Sequence, residues 1–489
     1  MLPAIVAVTG LTFLYLYHVN QGLTQVPEEV RRLSPHRWTV EEIKNAYEDA
    51  IRNPVDVGKS VPPKQNRRYI VIGGAGLVGN WIVTHLLARG EKPAAIRILD
   101  LQPPPRDILN QGVTFIQTNI VDEAAVAGAF AHPWSEAVAP LPLTVFHNAA
   151  VIRPAERHKA FLDRCRKVNV NGTANVLAAA KNHGASCFIS TSSGSVALRS
   201  TSFWLPPWRR TPRNMVQVIS DSTPLPSNHS DFFGNYAVSK AEAESLVRAA
   251  DDLPSNFRTG CIRPANGIYG IGETSGSITT MYLKTGGNAS WLSTITQNFV
   301  NAENVSIAHL LYEQRLLEHT ATPTSLPNIG GQAFLITDPN PAITFSDVYL
   351  LLTTLANTPV AFPRVPAVPF FLLGYLVEWY ALLQHVYLPW LLPPVQGELA
   401  QLQPGLFSVS NVHVIADDSR ARMRPEDGGL GYKPPMGTLY GMCKQLEDWN
   451  RRAEGGEVLE GQEVAKRKGK VVSVSGDGGV DVNLVVPAA

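Results

Sequence analysis

The sequence has few cysteines, little charge of either sign and no excess of basic residues. Its 489 residues include four cysteines, and none stands in a Cys-x-x-Cys pair. This spacing argues against a disulfide framework or a zinc site and fits a reducing compartment. The histidines are scattered without metal-ligand spacing, so we expect no metal. Charged residues make up 17% of the chain and the formal net charge is +1, which argues against nucleic acid as a partner.

Charge is also missing from the N-terminus. The run Leu2–Val19 has no charged side chain and lies at the short end of what spans a bilayer. We expect residues 1–20 to form a membrane anchor, because a signal peptide would need a basic start and a cleavage site; a buried helix is the alternative. Arg31, Arg32 and Arg37 follow, and the positive-inside rule then places the rest of the chain in the cytosol.

The length exceeds that of a usual single domain, and the residue pattern changes along the chain. Residues 21–67 read as a polar linker with a helix over Thr39–Ile51, which opens on a capping box of Thr39 and Glu42. From 68 to 270, β-branched strands alternate with helical stretches, which predicts an α/β, Rossmann-type doubly wound parallel sheet. Residues 271–452 are predicted to form a substrate-binding region containing a strand over Gln332–Thr337, and 453–489 a disordered tail.

Within the substrate-binding region, residues 365–395 are unusually apolar and aromatic. Pro369 and Pro389 bound the segment, and Glu378 and His385 interrupt it. We expect a pair of short helices that lies on a membrane surface or covers the substrate, rather than a second transmembrane helix. A helix of the core is the alternative.

A buried strand, three glycines and an apolar helix follow one another in the run YIVIGGAGLVG. Gly73 permits the tight turn, Gly76 lets the backbone approach a pyrophosphate, and Gly79 allows the helix to pack on the strand. The helix N-terminus, at Leu77 and Val78, presents free N–H groups and a positive dipole end to the phosphates. The pattern predicts a dinucleotide site.

Polar or small residues at the ends of the following strands complete this predicted site. Asp100 comes twenty-one residues after Gly79, where a carboxylate accepts hydrogen bonds from ribose hydroxyls and repels a 2′-phosphate. We therefore expect NAD in preference to NADP, with Arg97 and Arg106 as the residues that could instead help a phosphate. Asn119 and Asp122, at the end of the third strand, either reach the adenine edge or form a surface turn. Asn148, Ala149 and Ala150, after the fourth strand, are small residues that permit close approach of the cofactor.

The pattern Tyr-x-x-x-Lys occurs twice, at Tyr236 and Lys240 and at Tyr440 and Lys444. The first pair follows a strand with serines at its carboxyl end, where ligands of open parallel sheets bind, and residues four apart share a helix face. Tyr236 can exchange a proton with a substrate oxygen held by Ser193, and the lysine ammonium and a cationic nicotinamide favour its phenolate. The second pair follows no such strand, and we interpret it as a structural helix.

These runs, together with KVNVNGTANVL, FISTSSGSV, YAVSKAEAE and IRPANGIYG, resemble the extended short-chain dehydrogenase/reductases. They are most similar to the 3β-hydroxysteroid dehydrogenase/isomerase family, over roughly residues 68–450. The resemblance implies that Ser193, Tyr236 and Lys240 are catalytic and that Lys240 also binds the nicotinamide ribose. It further implies that Asn169 supports a proton relay and that Pro264 lines the nicotinamide. The alternative for Asn169 is a hydrogen bond at a bend in a helix.

The sequence departs from the family at two points. The segment WLPPWRRTPRN, between the serines and Tyr236, is longer than expected, and Asn266 is an extra residue in RPANGIYG. Substrate contacts cannot be transferred across these changes. Ser192 and Ser195 also lie close enough to Ser193 to leave the choice of catalytic serine open.

The sequence as a whole predicts a membrane-associated, NAD-dependent oxidoreductase that converts a secondary alcohol of a steroid-like or polycyclic terpenoid substrate to a ketone. Two close variants are oxidation of a sterol 4-carboxylate with loss of carbon dioxide, and ketone reduction in a specialised terpenoid pathway. The alternative from another class is a non-catalytic nucleotide sensor. We expect the endoplasmic reticulum membrane as the location, and a homodimer is compatible with the sequence.

Overall fold

The protein is described by a computed structural model that covers residues 1–272, 277–321, 326–455, 474–475 and 481–482. Its α-helices are α1 (Leu2–Thr24), α2 (Glu28–Leu33), α3 (Val40–Arg52), α4 (Leu77–Ala88), α5 (Arg106–Asn110), α6 (Glu123–Ala131), α7 (Leu162–Arg166), α8 (Thr173–Asn182), α9 (Asn235–Ala249), α10 (Ile278–Thr285), α11 (Ala302–Ala321), α12 (Phe345–Leu355), α13 (Ala367–Leu382), α14 (Glu398–Gln401), α15 (Pro404–Ser410), α16 (Ser419–Arg422) and α17 (Thr438–Glu454). The tail predicted to be disordered lies almost wholly outside the described residues.

The strands are β1 (Arg68–Ile72), β2 (Ile96–Asp100), β3 (Thr114–Gln117), β4 (Leu143–His147), β5 (Ala185–Thr191), β6 (Val216–Ser220), β7 (Arg258–Pro264), β8 (Ile268–Tyr269), β9 (Thr296–Gln297), β10 (Val300–Asn301), β11 (Gln332–Ile336), β12 (Ile343–Thr344), β13 (His413–Asp417), β14 (Val474–Ser475) and β15 (Asp481–Val482). Seven of them form a parallel sheet in the spatial order β11-β7-β5-β4-β1-β2-β3. Strand order reverses between β1 and β4, and ligands of such sheets bind at the carboxyl ends beside this point. The predicted Rossmann-type doubly wound fold is confirmed.

Strand β11 belongs to the central sheet, although the sequence pattern assigned it to the substrate-binding region. It pairs in parallel with β7, from Gln332 against Gly260 to Ile336 against Pro264. The 67 residues between β7 and β11 do not continue the alternation of strands and helices, so nothing in the sequence pattern indicates this pairing. The sheet therefore continues past residue 270, the limit predicted for the nucleotide-binding domain.

The N-terminal helices are attached to the body of the protein. Helix α3 opens on the predicted capping box, in which Thr39 accepts from the Glu42 amide and the Glu42 carboxylate accepts from the Thr39 amide. Helix α1 is exposed over its first thirteen residues, and its end is buried at Val19 and Leu23. The Asn20 side-chain oxygen accepts hydrogen bonds from the first amides of α13 at 2.9 and 3.3 Å.

Helix α13 is one continuous element where a pair of short helices was expected. It starts at Ala367 and runs through a π-helical turn, Leu383–Tyr387. Pro369 does not delimit it, because a proline in the first turn has no intrahelical hydrogen bond to lose. Both α1 and this helix are long and apolar enough to cross a membrane, which by itself is weak evidence that they do.

Candidate active site

The glycine turn after β1 is closed tightly against the loop after β4. Gly73 has φ +74°, and a Cβ there would lie 2.6 Å from the Ala149 amide nitrogen. Gly76 forms the N-cap of α4, so the first-turn amides of Leu77 and Val78 have no intrahelical partners. At Gly79 a Cβ would overlap the Gly73 carbonyl. These contacts leave a turn that only glycine can form, with a helix N-terminus directly behind it.

Asp100 lies at the end of β2, next to this turn. One of its carboxylate oxygens accepts from the Ala75 amide at 3.0 Å and the other from the Leu101 amide at 2.7 Å. A small pocket opens beside it, lined by the glycine turn, the start of α4 and neighbouring residues Asn80, Pro103, Pro104, Pro105 and Gly272. The carboxylate is thus held beside the glycine turn by two backbone amides.

Arg97 cannot serve a phosphate at this site. Its guanidinium is buried on the other side of β2, donates to the carbonyls of Ala129 and His132 at 2.9 and 2.8 Å, and stacks 3.9 Å from the centre of the Trp134 ring. Strand alternation explains this position, because side chains three positions apart, such as Arg97 and Asp100, point to opposite faces of the sheet. Arg106 begins α5, just after the prolines of the pocket.

The residues after β3 have local partners. The Asp122 carboxylate accepts from the Ala125 amide at 3.0 Å and caps α6, and the Asn119 side chain accepts from the Val121 amide at 3.1 Å. Both positions therefore lie in the turn that was the alternative to adenine binding, and Asn119 is an exposed residue.

The residue after β4, Asn148, has a buried side-chain donor that forms no hydrogen bond among the described residues. The Asn148 side-chain oxygen accepts from the Thr191 hydroxyl. Its amide nitrogen is buried and has no hydrogen-bond partner among the residues that the structure describes. Because a buried donor without a partner costs free energy, this nitrogen is suited to a ligand that supplies an acceptor. Together with the Gly73 cradle, it shows that the residues present fit a bound dinucleotide.

Three serines follow β5, and the structure distinguishes among them. Ser192 is buried and donates to the Glu244 carboxylate at 2.6 Å. The Ser193 and Ser195 hydroxyls are 2.8 Å apart, and Ser195 is buried. Ser193 is half-buried and lies close enough to the Tyr236 phenol to affect its pKa. Of the three, Ser193 is therefore the one whose hydroxyl faces the tyrosine.

Tyr236 and Lys240 lie on α9, one turn apart, as predicted. Burial raises the pKa of Tyr236 to about 12, and the Ser193 hydroxyl opposes this shift. Burial also lowers the pKa of Lys240 to about 8, and its ammonium donates to the Thr191 carbonyl at 2.7 Å. In the protein without ligands, burial is thus the dominant effect on the pKa of Tyr236, and the phenol is protonated near neutral pH.

Asn169 holds two parts of the site together. It lies in a π-helical turn, Lys167–Gly172, and is buried. Its side chain accepts from the Val151 amide at 2.8 Å and donates to the Val151 carbonyl and the Ser239 hydroxyl at 3.0 and 2.9 Å. The residue connects the loop after β4 with α9, beside Tyr236. Pro264, at the end of β7, has its carbonyl beside Gly194, next to Ser193.

Two groups under the site were missed by the sequence reasoning. Glu244, one turn after Lys240, forms a buried ion pair with Arg263 of β7, with hydrogen bonds of 2.8 and 2.5 Å. His309 of α11 lies 2.8 Å from the Thr191 hydroxyl, and burial lowers its pKa to about 4. The i, i+4 spacing of Lys240 and Glu244 was the available signal for the first; nothing local indicated the second.

The second Tyr-x-x-x-Lys pair has structural contacts. The Tyr440 hydroxyl accepts from the Val55 amide at 2.7 Å, and Lys444 pairs with Glu303 at 2.9 Å. Both side chains connect α17 with other elements and lie outside the serine cluster.

Comparison with known proteins agrees with this geometry. The sequence profile of the 3-beta hydroxysteroid dehydrogenase/isomerase family matches residues 70–359, more than half of the chain. The chain belongs to this family. The prediction of an oxidoreductase of the hydroxysteroid dehydrogenase type is thereby confirmed.

Relatives within the family carry two kinds of names. The chain is 29% identical to human 3 beta-hydroxysteroid dehydrogenase type 7, over 75% of the chain and 91% of the relative. The mouse protein of the same name is 27% identical, over 79% and 96%. Human sterol-4-alpha-carboxylate 3-dehydrogenase, decarboxylating, is 27% identical, over 63% and 72%.

Solved structures share the fold of this dehydrogenase family member at low sequence identity. UDP-glucose 4-epimerase of Thermotoga maritima has a TM-score of 0.53 at 16% identity, covering 79% of the chain and 99% of the epimerase. The Thermus thermophilus epimerase, solved with NAD, has a TM-score of 0.50 at 18% identity, with the same coverage. At this level of identity the similarity shows a shared fold and nothing more.

Proposed function

We propose that the protein is a membrane-associated, NAD-dependent dehydrogenase that oxidises a 3β-type hydroxyl of a steroid-like or related polycyclic substrate to a ketone. The observation that carries this proposal is the meeting of Ser193, Tyr236 and Lys240 at the carboxyl ends of the strands, next to the glycine turn. Family membership supports the oxidoreductase class and the relatives' names support a sterol-like substrate.

The residues that would hold the dinucleotide are those of the cradle. The amides at the start of α4 would bind the pyrophosphate, and Asp100 would bind the adenosine ribose. The free Asn148 amide nitrogen would donate to an acceptor further along the dinucleotide. The Asp100 carboxylate favours NAD, because a 2′-phosphate would meet a like charge at this position. When bound, the nicotinamide takes up the hydride from the carbinol carbon.

The remaining steps concern protons held by the chain. Ser193 donates a hydrogen bond to the substrate oxygen, and the Tyr236 side chain, as its phenolate, receives the hydroxyl proton as the carbinol carbon loses its hydride, leaving a ketone. A phenol whose pKa is about 12 is a weak acid, so its deprotonation requires positive charge nearby. The Lys240 ammonium, one turn away, supplies that charge while it remains protonated. Asn169 positions α9 through Ser239.

Oxidation with loss of carbon dioxide is the second candidate. Several relatives are named as sterol 4-carboxylate 3-dehydrogenases, from human, bovine and Candida albicans proteins. A carboxylate beside the new ketone makes a β-keto acid, which loses carbon dioxide to leave an enolate that takes up a proton from water. The same active-site residues therefore serve both candidates, and the substrate decides between them.

The test measures NADH formation by purified protein with 3β-hydroxysteroids, 4-carboxysterols and terpenoid alcohols, with NAD and with NADP. Tyr236→Phe is expected to lower turnover about 10²–10⁴-fold while NADH binding is retained. Tyr440→Phe, in the structural pair, is the matched control and keeps its turnover. Release of labelled carbon dioxide from a 4-carboxysterol distinguishes the decarboxylating reaction. NADH binding without turnover on any alcohol, and no effect of Tyr236→Phe in cells, would instead support the nucleotide sensor.

We further propose that the protein lies at the endoplasmic reticulum membrane with its catalytic domain in the cytosol. The apolar helix α1 and the lipid-soluble class of substrate support this location. The exposed Arg31 and Arg32 on α2 support the proposed orientation, whereas Arg37 is held by Asp347 at 2.8 Å. Protease protection of tags at either end of the chain, in isolated microsomes, tests the orientation.

A further inference from the structure

Helix α13 and the π-helical turn after it are apolar on two opposite sides. One side packs on the body through Phe371, Gly374 and Val377. The other is exposed, at 63% for Leu376 and 64% for Trp379, and the exposed apolar side chains continue to Trp390, at 79%. A helix that is apolar all round is normally buried on all sides, and a long exposed apolar stripe marks a contact with another apolar phase.

The exposed stripe of α13 faces away from the body. Contacts with the body occur along the helix: Glu378 forms a double hydrogen bond with Arg157 at 2.9 Å, and the His385 ring lies 5.3 Å from that of Phe161. Because these contacts fix one side of the helix, Leu376 and Trp379 must point outward. The chain after the helix folds back against it, where the Tyr380 hydroxyl donates to the Pro393 carbonyl at 3.1 Å.

The long segment before Tyr236, residues 204–213, lies at the point where α1 leaves the body. Its Trp204 ring stacks on Tyr15 of α1 at 6.4 Å and lies 6.0 Å from Tyr375 of α13. The His18 ring on α1 is 3.3 Å from the Pro206 carbonyl. Three elements distant in sequence therefore meet at one place. Trp208, at the tip of the segment, is 84% exposed.

The same segment carries a group of exposed arginines in a chain with almost no net charge. Arg209, Arg210 and Arg213 are exposed, and within the described residues none of them pairs with a carboxylate. The Arg210 carbonyl is 3.1 Å from the Cβ position of Gly22. The uncharged run of α1 ends at Val19, so the segment passes one turn beyond the end of that run. This is the level of lipid phosphates if the run lies in hydrocarbon.

We propose that this face docks on an anionic lipid bilayer. Its aromatic and aliphatic side chains enter the interface beside α1, and its arginines bind lipid phosphates. The face consists of Trp208, Leu376, Trp379, Tyr387 and Trp390 with Arg209, Arg210 and Arg213. The inference deepens the membrane association proposed above, and it is independent of the hydride-transfer chemistry. An interfacial helix with aromatic residues and basic neighbours has the composition that binds such surfaces.

The first test measures the depth of single labels in full-length protein bound to vesicles of phosphatidylcholine with phosphatidylserine. The four native cysteines are buried, so a fluorophore can be placed at Trp379→Cys or Trp208→Cys, with Lys92→Cys as the exposed control. We expect spin-labelled lipid to quench the first two labels and aqueous iodide to quench the third. Equal iodide quenching at all three positions would overturn the proposal. Concentration-dependent protection without lipid quenching would indicate a second copy of the chain instead, and would also overturn it.

The second test isolates the arginines. Full-length protein carrying Val6→Asp and Phe13→Asp on the exposed part of α1 cannot insert that helix, so its vesicle binding reports the docking face. Adding Arg209→Gln, Arg210→Gln and Arg213→Gln is expected to lower partitioning onto anionic vesicles by on the order of a hundredfold, at roughly fivefold per arginine. Lys64→Gln with Lys92→Gln, both exposed, is the control and has little effect.

The outcome separates lipid charge from other causes. Loss of binding to anionic vesicles, with unchanged weak binding to phosphatidylcholine, supports the arginine contact. An equal loss in the control, or none in the triple variant, contradicts it. Turnover on a detergent-solubilised substrate is expected to be unchanged in all these variants, so failure of the docking proposal and failure of the dehydrogenase proposal give different results.

Discussion

The buried ion pair of Glu244 and Arg263 allows the most direct test of how the fold supports the site. Glu244→Gln keeps the shape of the side chain but removes its charge. The Arg263 guanidinium, whose side chain is 4% exposed, then loses the carboxylate that pairs with it. The Ser192 hydroxyl, which donates to the Glu244 carboxylate at 2.6 Å, then has only the weaker amide oxygen as an acceptor. Removing one partner of a buried pair leaves an uncompensated charge, so we expect the free energy of unfolding to fall by about 3–5 kcal/mol.

The same helix provides a matched control. Glu242 also receives two hydrogen bonds from an arginine, Arg166, at 2.8 and 2.5 Å. These side chains are 34% and 43% exposed, and exposed pairs contribute about 1 kcal/mol or less. Glu242→Gln should therefore have at most a small effect, although its contact geometry in the structure is nearly the same.

The assay is urea unfolding of both variants in the same detergent, followed by tryptophan fluorescence, with the midpoint and slope measured separately. A pH profile adds a second readout, because the Glu244 charge raises the pKa of Lys240 and its removal should move the lysine's titration to lower pH. Equal stability losses in the two variants would refute the argument, since burial would then make no difference to what an ion pair contributes to the free energy of unfolding.

Three further outcomes are expected. Asp100→Asn keeps an acceptor for the Ala75 amide but removes the charge, so the ratio of kcat/KM with NAD to that with NADP should fall about tenfold or more; an unchanged ratio would show that another residue sets the preference. Because the Lys240 ammonium is lost as pH rises through about 8, kcat/KM for NAD should decline above that pH, and the decline should be absent in Lys240→Arg if that variant is active. Asn20→Ala should cost about 1 kcal/mol and speed hydrogen exchange at the first amides of α13, whereas Thr12→Ala, on the exposed part of α1, should leave that exchange as it is.

The parts of the fold that the sequence predicts are those governed by neighbouring residues. The strand, glycine turn and helix around Gly73 follow from backbone requirements within eleven residues, and the Thr39 capping box from residues three apart. Asp100 could be placed because a strand end fixes its position. These features need no knowledge of distant packing.

The parts that were not predicted depend on contacts between distant segments. Strand β11 joins the sheet next to β7 although its pattern is that of any short strand, and His309 meets Thr191 from a different helix. Arg97 was considered for a phosphate because it precedes Asp100, but its orientation across the sheet buries it. Pro369 was interpreted as a boundary of the apolar segment, since the sequence does not show that this proline falls within the first turn of α13.

The attachment of α1 to the body has a consequence for how the protein is made. Asn20 binds the start of α13, and the Leu23 carbonyl accepts from Asn411, so partners of the first helix are separated from it by 347 and 388 residues. At about 5–20 residues per second, a ribosome needs roughly 20–70 s to synthesise the intervening chain. During that time the end of α1 has none of these contacts. A membrane that received the first helix early would keep its apolar residues out of water until the last quarter of the chain is made, so that α13 and Asn411 would find their partner already at the membrane surface.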